Sequence, residues 1–570
     1  MKRILTGYLK PYYLKMSIGF LVKFTGTVMD LCIPWILAYM IDTVTPRHEQ
    51  KQIFLWGIVM IVCSIMAVSF NIIANRMASR VASDVMQVIR YDLYEKTIYL
   101  SERQVDNLSK PTLISRLTSD TYNLHQVIAR IQRLGVRAPI LLAGGIVVTM
   151  TLEPRLSAIL ICLMPLLALV MVIVTKRSVP MFTKLQLAVD DFVRLVREDI
   201  AGIRVIKALS KGDYERERFD EINQTVVERE RKAGMTSAVI NPSMNVILNL
   251  GLVLVILAGA YLVNRGETQV GKILAFMTYF TIILNAMMSI SRMFVMISKG
   301  MASAERVVAV LDASDELLEE MADAEERRDS MVEFDHVSFS YNKGENNLED
   351  ISFRLNKGET LGIIGETGSG KSTIVNLLMR FYDVDQGSIW IDGQKIQTMG
   401  LEELRRKFGV VFQNDAIFAK SILENVDMGR DLDETQIQEA LLYARATEFV
   451  SQKGGDIRSM LDIKGANLSG GQKQRILIAR ALAAHPKILI LDDSSSALDY
   501  KTDAALRKEI RDHFSDTTCV IVAQRISSIM HSDHILVLED GKAVAYGTHE
   551  ELMKSCQIYQ EISNSQMGAA

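Results

Sequence analysis

The stretch GETGSGKST, made of Gly365, Glu366, Thr367, Gly368, Ser369, Gly370, Lys371, Ser372 and Thr373, has the spacing G-x-x-x-x-G-K-[ST]. Its chemistry is the cradling of phosphates. Glycines let the backbone fold tightly and aim N–H groups at phosphate oxygens. Lys371 supplies a point charge for the β- and γ-phosphates, and the Ser372 hydroxyl can ligate Mg²⁺. An apolar run, TLGIIG, precedes the loop and the helical STIVNLLMRF follows it, so a helix N-terminal dipole adds to the anion site.

A second acid should hold the metal from the far side. Asp492, closing the apolar ILIL of KILILDD, suits that role, although an ordinary strand-ending acid would read the same. More specific is LSGGQKQR, in which Leu468, Ser469, Gly470, Gly471 and Gln472 open a helical stretch that runs through ILIARALA. Together with Gln413 in VFQND and the aromatic Tyr341, it resembles the signature motif of ATP-binding cassette (ABC) proteins. The resemblance implies an α/β P-loop domain with ATP and Mg²⁺ as ligands. Tyr341 would stack on adenine and residues 365–373 would bind the phosphates. Ser372, Gln413 and Asp492 would face the metal, Gln413 also sensing the attacking water, and Asp499 would be the D-loop acid. Residues 468–472 would face a partner's site, with Ser469 and Gly471 contacting the γ-phosphate of a nucleotide held by another cassette, so a chain with one cassette must pair with a second.

Two positions depart from that family pattern. The residue after the strand acid is normally a glutamate acting as general base or water-positioner; here it is Asp493. The charge is kept, but the side chain is one methylene shorter, about 1.5 Å of reach. A misplacement of about 1 Å can cost on the order of 100-fold. In VIVAQRISS the family's switch histidine is replaced by Gln524. An imidazole becomes cationic near neutral pH and an amide does not. Both changes strike hydrolysis and leave the binding elements intact, so the expectation is a degenerate catalytic pair in a site that binds ATP and hydrolyses it poorly. Upstream of the signature, Ile463 and Lys464 of LDIKGAN stand where the family has acidic and Arg residues.

These residues need elements to position them. VEFDHVSFSY (332–341) alternates, and TLGIIG, KFGVVFQ, KILILDD and TCVIVAQ are short apolar runs with helical stretches between several of them. That pattern predicts an α/β domain over 331–570 with a largely parallel sheet. Residues 301–330 turn acidic and read as a linker. Residues 1–300 hold apolar runs near 16–40, 54–75, 135–153, 156–175, 238–263 and 273–298, each about the length that crosses a bilayer. Buried helices of a large soluble core are the alternative, and six such runs weigh against it. Lys and Arg crowd the segments between the second and third and between the fourth and fifth runs, while the other connections hold few. The positive-inside rule puts both long segments, both chain ends and the 331–570 domain in the cytoplasm. Helical patterning in the long segments predicts membrane helices that extend well past the bilayer.

The resemblance then covers nearly the whole chain: a six-span α-helical transmembrane domain of the ABC exporter type fused to the cassette. With Asp493 and Gln524 altered and LSGGQ intact, the chain looks like one subunit of the heterodimeric, multidrug-type ABC exporters of bacterial plasma membranes. Its partner would be a second half-transporter carrying the consensus catalytic Glu and switch His. Short helices pressing on the cassettes are expected, by resemblance, at TSDTYNLHQ (118–126) and KGDYERERF (211–219).

Composition agrees. The chain has 570 residues, 49% of them hydrophobic, with a net charge of −3 and a mean hydropathy of +0.16. Net charge gives no sign of a nucleic-acid partner. Five scattered cysteines without CxxC spacing make neither a disulfide framework nor a metal site. The N-terminal MKRILTGYLKPYY has no short apolar core with a cleavage site, so no removable signal peptide is expected, and the roughly 15 residues before the first span are too few for a peptidase domain. Lys23 and Asp30 share one face of the first span; mid-bilayer charges usually face a cavity or each other, and Lys23 could instead snorkel to the cytoplasmic end. Arg292 has the same ambiguity. Met277, Met287, Met288, Met293 and Met296 suit an adaptable surface for greasy molecules as well as plain helix packing. The reading is a half-size exporter of amphipathic compounds such as drugs or lipids. Its rivals are a homodimeric lipid or peptide exporter with two slow ATP sites, and a catalytically idle regulatory subunit.

Overall fold

The computed structural model describes residues 3–314, 317, 328–341, 343–344, 346–452, 456–494 and 496–567, apart from the side chains of 5, 291, 292, 294, 295, 298, 452 and 567. Most of the acidic part of the expected linker and the Arg292 side chain therefore lie outside the described residues. The chain divides into two compact units: Met1–Tyr99 with Pro111–Ala313, and Leu100–Lys110 with Ser314–Ala570.

The first unit is helical. Among the described residues six helical stretches are long and apolar enough to cross a membrane, from Lys10–Arg47 to Val270–Ile290. Several continue far beyond the length a bilayer needs: Gln50–Ile98 has 49 residues and Pro154–Ala201 has 48. Phe54, Leu55, Ile58, Ile61 and Ile65 stand exposed on the second helix, an apolar face suited to lipid. Inward packing relies on small residues. A Cβ on Gly26 would come within 2.9 Å of Phe70 and 3.3 Å of the Ala67 carbonyl, so the first two membrane helices approach closely at that point. Leu156, Leu160, Phe276, Phe280 and Ile283 form a buried cluster joining the fourth and sixth spans. Asp42 accepts backbone N–H bonds from Gly271 (2.6 Å) and Lys272 (2.8 Å). A carboxylate thus sits at the N-terminus of the Val270–Leu311 helix, where the dipole favours it.

The second unit holds ten strands: β1 (Val332–Phe339), β2 (Leu348–Leu355), β3 (Thr360–Gly365), β4 (Gln386–Ile391), β5 (Gln394–Lys395), β6 (Phe408–Val411), β7 (Ile488–Asp492), β8 (Thr518–Val522), β9 (His534–Glu539) and β10 (Lys542–Gly547). Their order is β5-β4-β1-β2-β10-β9-β3-β8-β7-β6. β9, β3, β8, β7 and β6 run parallel. Every residue of β7 is buried, the continuous apolar pattern of a strand covered on both faces. β1, β2 and β4 pair antiparallel, which gives the domain a larger antiparallel part than the sequence patterns suggest.

Of the long connecting segments, it is Leu100–Lys110 that belongs to the second unit. Its short helix, Glu102–Leu108, starts with a Ser101/Gln104 capping box. The Tyr382 hydroxyl donates to Asp106 at 2.6 Å, and the Gln104 amide donates to the Ser314 carbonyl at 2.7 Å. The segments 118–126 and 211–219, expected as cytoplasmic extensions of the membrane domain, belong to the first unit. There Asp120 is buried and holds Arg306 in a two-pronged ion pair, while Lys211 precedes the exposed start of the Gly212–Ala238 helix.

Candidate nucleotide site

β3, β8, β7 and β6 are consecutive parallel neighbours, so their carboxyl ends share one edge, where open α/β sheets take their ligands. Gly365 ends β3 and Asp492 ends β7, while Gln413 and Gln524 follow just after β6 and β8. A cavity of about 200 Å³ lies at this edge. It is lined by Thr367, Gly368, Gly370, Lys371, Ser372, Thr373, Gln413, Asp492, Asp493 and Gln524, with Asn347.

The loop needs its glycines at two points. A Cβ on Gly365 would lie 2.2 Å from the Leu538 carbonyl oxygen, and Gly370 has φ +96° with Leu348 2.6 Å from where a Cβ would be. Lys371 opens the Lys371–Leu378 helix. Its ammonium donates to the carbonyls of Gly365 (2.8 Å) and Glu366 (2.6 Å), so the loop closes over its own lysine. Burial pushes the Lys371 pKa down, and Asp492 and Asp493 oppose that shift. The Ser369 hydroxyl is buried and has no hydrogen-bond partner among the described residues.

On the far side, Asp492 is 4% exposed and hydrogen-bonded by Ser372. Burial pushes its carboxyl pKa up; Asp493 adds to this, and Ser372 and Lys371 counter it. A buried carboxylate in that state gains from a nearby cation. A hydroxyl, a carboxylate and an amide oxygen form the hard donor set that suits Mg²⁺ together with phosphate and water.

Asp493 sits at φ +49°, a left-handed conformation that Asp tolerates better than most residues. Its N–H donates to the Val522 carbonyl at 2.9 Å. Its carboxylate accepts from the Gln524 side-chain amide at 2.9 Å and is hydrogen-bonded by Gln413. Burial raises its pKa, against the pull of Gln413, Arg525, Lys371 and Gln524. The two residues that depart from the family pattern therefore hold each other.

Tyr341 lies just past β1, edge-on to Phe339 (4.9 Å) and Tyr382 (5.0 Å). Its hydroxyl donates to Thr373 Oγ1 at 3.3 Å and accepts from Asn376 at 3.0 Å, which ties the aromatic to the phosphate loop. The signature is built elsewhere. Ser469 caps the Gly470–Leu482 helix: its hydroxyl accepts from the Gln472 N–H (3.3 Å), and its own N–H donates to the Gln472 side chain (3.0 Å). A Cβ on Gly471 would lie 3.1 Å from the Ala497 carbonyl, so this turn packs against the segment leading to Asp499. Asp499 in turn caps the Tyr500–His513 helix through Thr502. Neither residues 468–472 nor Asp499 line the cavity of their own chain.

Sequence reasoning passed over two contributors. Asn347 lines the cavity and accepts the Tyr341 N–H at 3.1 Å. Gln566, in the last described helix, donates to the Gln524 carbonyl and accepts from the Ile526 N–H, both at 2.7 Å, so it brackets the backbone of the switch position. A lone glutamine 42 residues downstream carries no local signal of this.

Family models agree with this geometry. Residues 16–287 match the ABC transporter transmembrane region and residues 348–496 the ABC transporter model. The chain is 34% identical to the uncharacterized ABC transporter ATP-binding protein YfiB of Bacillus subtilis over 99% of this chain and 98% of that one. It is 32% identical to the fatty acid ABC transporter ATP-binding/permease protein of Mycobacterium bovis, over 86% of this chain and 78% of that one. A bacterial Atm1-family ABC exporter solved with ATP bound shares the fold, with a TM-score of 0.82 at 23% identity over 98% of this chain and 99% of that one. The six apolar helices, the P-loop sheet edge and the LSGGQ helix, with Ser469 and Gly470 exposed at its start, thus converge: the chain belongs to the ABC transporters, as a half-transporter with its membrane region fused to its ATP-binding cassette.

Proposed function

We propose that this chain is the degenerate-site subunit of a heterodimeric exporter of amphipathic compounds in a bacterial plasma membrane, with both termini and the cassette in the cytoplasm. Residues 1–300 serve as the membrane domain, 301–330 as linker and 331–570 as the nucleotide-binding domain. The carrying observation is the 2.9 Å bond between Gln524 and Asp493 beside a complete phosphate loop. An amide that donates to the carboxylate stabilises its charged form and offers no proton of its own. Asp493 is thereby engaged at the point where it would have to accept a proton from water.

Residues 365–373 hold the phosphates, Tyr341 meets the adenine, and Ser372, Gln413 and Asp492 would hold Mg²⁺, which when bound neutralises phosphate charge. Lys371 leaves its two carbonyls to meet the β- and γ-phosphates. The Ser469–Gln472 turn, exposed at Ser469 and Gly470, serves a partner's nucleotide through its helix N-terminus, and the partner supplies the glutamate and histidine absent here. Alternating access of the membrane helices then follows ATP-driven closure of the two cassettes. The name of the fatty acid transporter relative supports an amphipathic, acyl-like cargo.

The test is phosphate release. The purified chain alone should turn over slowly while binding ATP. Co-purified with a second half-transporter carrying Glu and His, it should gain activity that a Glu→Gln change in that partner abolishes and that Asp493→Asn here barely alters. Rapid turnover by this chain alone would instead support the homodimeric reading.

A further inference from the structure

The membrane unit holds a cluster of charged side chains in its first three spans. Lys23, 3% exposed, donates to Asn75 at 3.0 Å. The charges acting on it are Arg137, Asp30 and Arg133. Asp30 is already engaged, accepting from Arg137 at 3.0 Å and from Asn71 at 3.3 Å. Asp30 is thus the one carboxylate hydrogen-bonded within this group, while the Arg133 charge acts on Lys23 without a direct contact. The Nε atoms of Arg133 and Arg137 are buried without a hydrogen-bond partner among the described residues. Arg133 precedes the third apolar run and Arg137 lies near its start, and buried polar atoms without partners are costly to leave so.

An apolar groove of about 610 Å³ runs along the same helices, with Met16, Phe20, Ala74, Ala78, Ile131 and Val136 among its lining residues. Ala74 and Ala78 share the helical stripe of Asn71 and Asn75, and Phe20 lies one turn before Lys23. Arg133 and Arg137 directly follow the lining residues Gln132 and Val136, so apolar volume and cationic charge occupy neighbouring positions on the same helices, a combination complementary to a molecule with an apolar body and one anionic head.

We propose that the Lys23–Arg133–Arg137 cluster and the adjoining groove form a binding site for an anionic amphipath, the cargo class of this transporter. The head would displace Asp30 as the partner of Arg137 and meet the free guanidinium nitrogens, while the apolar body lies along the groove. The inference rests on the exporter reading and is independent of which subunit hydrolyses ATP.

The experiment uses the full chain in nanodiscs of a zwitterionic lipid, without nucleotide or partner, and a diazirine-bearing twelve-carbon carboxylic acid as photoprobe. Adducts should map to 13–21 and 131–136, and laurate should compete for them about ten-fold better than dodecanol or dodecyltrimethylammonium. Lys23→Met and Arg137→Gln should each cut labelling about ten-fold, with Lys23→Arg restoring most of it. Asp30→Asn, which removes the internal competitor, should increase labelling, a gain that misfolding cannot imitate. Equal competition by the alcohol, displacement by added anionic phospholipid alone, or undiminished labelling of Arg137→Gln would overturn the proposal. Because no ATP is present, such failure leaves the degenerate-site reading standing, and fast ATPase of the lone chain would leave this one standing.

Discussion

At the residue scale, the informative contact is between Asp493 and Gln524. On the proposed reading each change alone would weaken hydrolysis: the carboxylate is short of reach, and the amide cannot become a cation. Their mutual bond at 2.9 Å means that restoring one leaves the other mismatched. The double variant Asp493→Glu/Gln524→His should therefore raise ATP turnover of the isolated chain by roughly 10- to 100-fold, more than the product of the single variants. Its rate should also acquire a pH dependence near 6.5, the ordinary histidine range. Single-turnover phosphate release checks this; a double variant as slow as the parent would locate the defect outside the pair.

At the element scale, the sheet is closed by an ion pair between opposite ends of its strand order. Asp392, in the turn between β4 and β5, accepts from Lys407 and Lys487, each at 2.8 Å, and those lysines immediately precede β6 and β7. Hydrogen bonds from Lys407 and then Lys487 hold the Asp392 pKa down to about 2. A depressed carboxylate contributes stability that is complete above its unfolded value of about 4 and is lost as pH falls through about 2. With the side chain 38% exposed, solvent screening limits the gain to that of a partly exposed pair. Asp392→Asn should lower the unfolding midpoint by about 1–3 °C at neutral pH, a gap that narrows as pH approaches 2 and shrinks in high salt. Thermal melts of both proteins across pH would show it.

At the scale of the whole molecule, the chain passes between its two units three times, because Leu100–Lys110 sits inside the membrane half of the sequence and belongs to the other unit. Asp106 is tied there by the buried Tyr382, and Tyr382 stacks edge-on against Tyr341. If Tyr341 meets adenine as proposed, a change felt there would pass through Tyr382 and Asp106 into a segment whose chain continues into two membrane spans. Asp106→Ala in the assembled transporter should leave ATP affinity within about two-fold and cut transport per ATP severalfold, as expected for loss of a hydrogen bond to a charged group. Parallel nucleotide-binding and transport assays separate the two effects, and unchanged transport would remove Asp106 from that route.

Contiguous motifs were legible because their chemistry is local. The phosphate loop, the strand-ending Asp492, the Ser469 cap and the six apolar runs each depend on spacing within a few residues, and each folds as its spacing predicts. What the segments 118–126 and 211–219 dock against was not legible, because a solvated helix and a docking helix have similar charge patterns. The bond between Asp493 and Gln524, the bracket made by Gln566 and the cluster around Lys23 joined residues from 31 to 107 positions apart. Strand order and helix packing decide such adjacencies, and neither is written in any one stretch of sequence. What the sequence by itself determined was the inventory of groups that grip phosphate and span lipid; tertiary structure alone decided which of them touch, because contact between distant segments depends on how their buried faces pack.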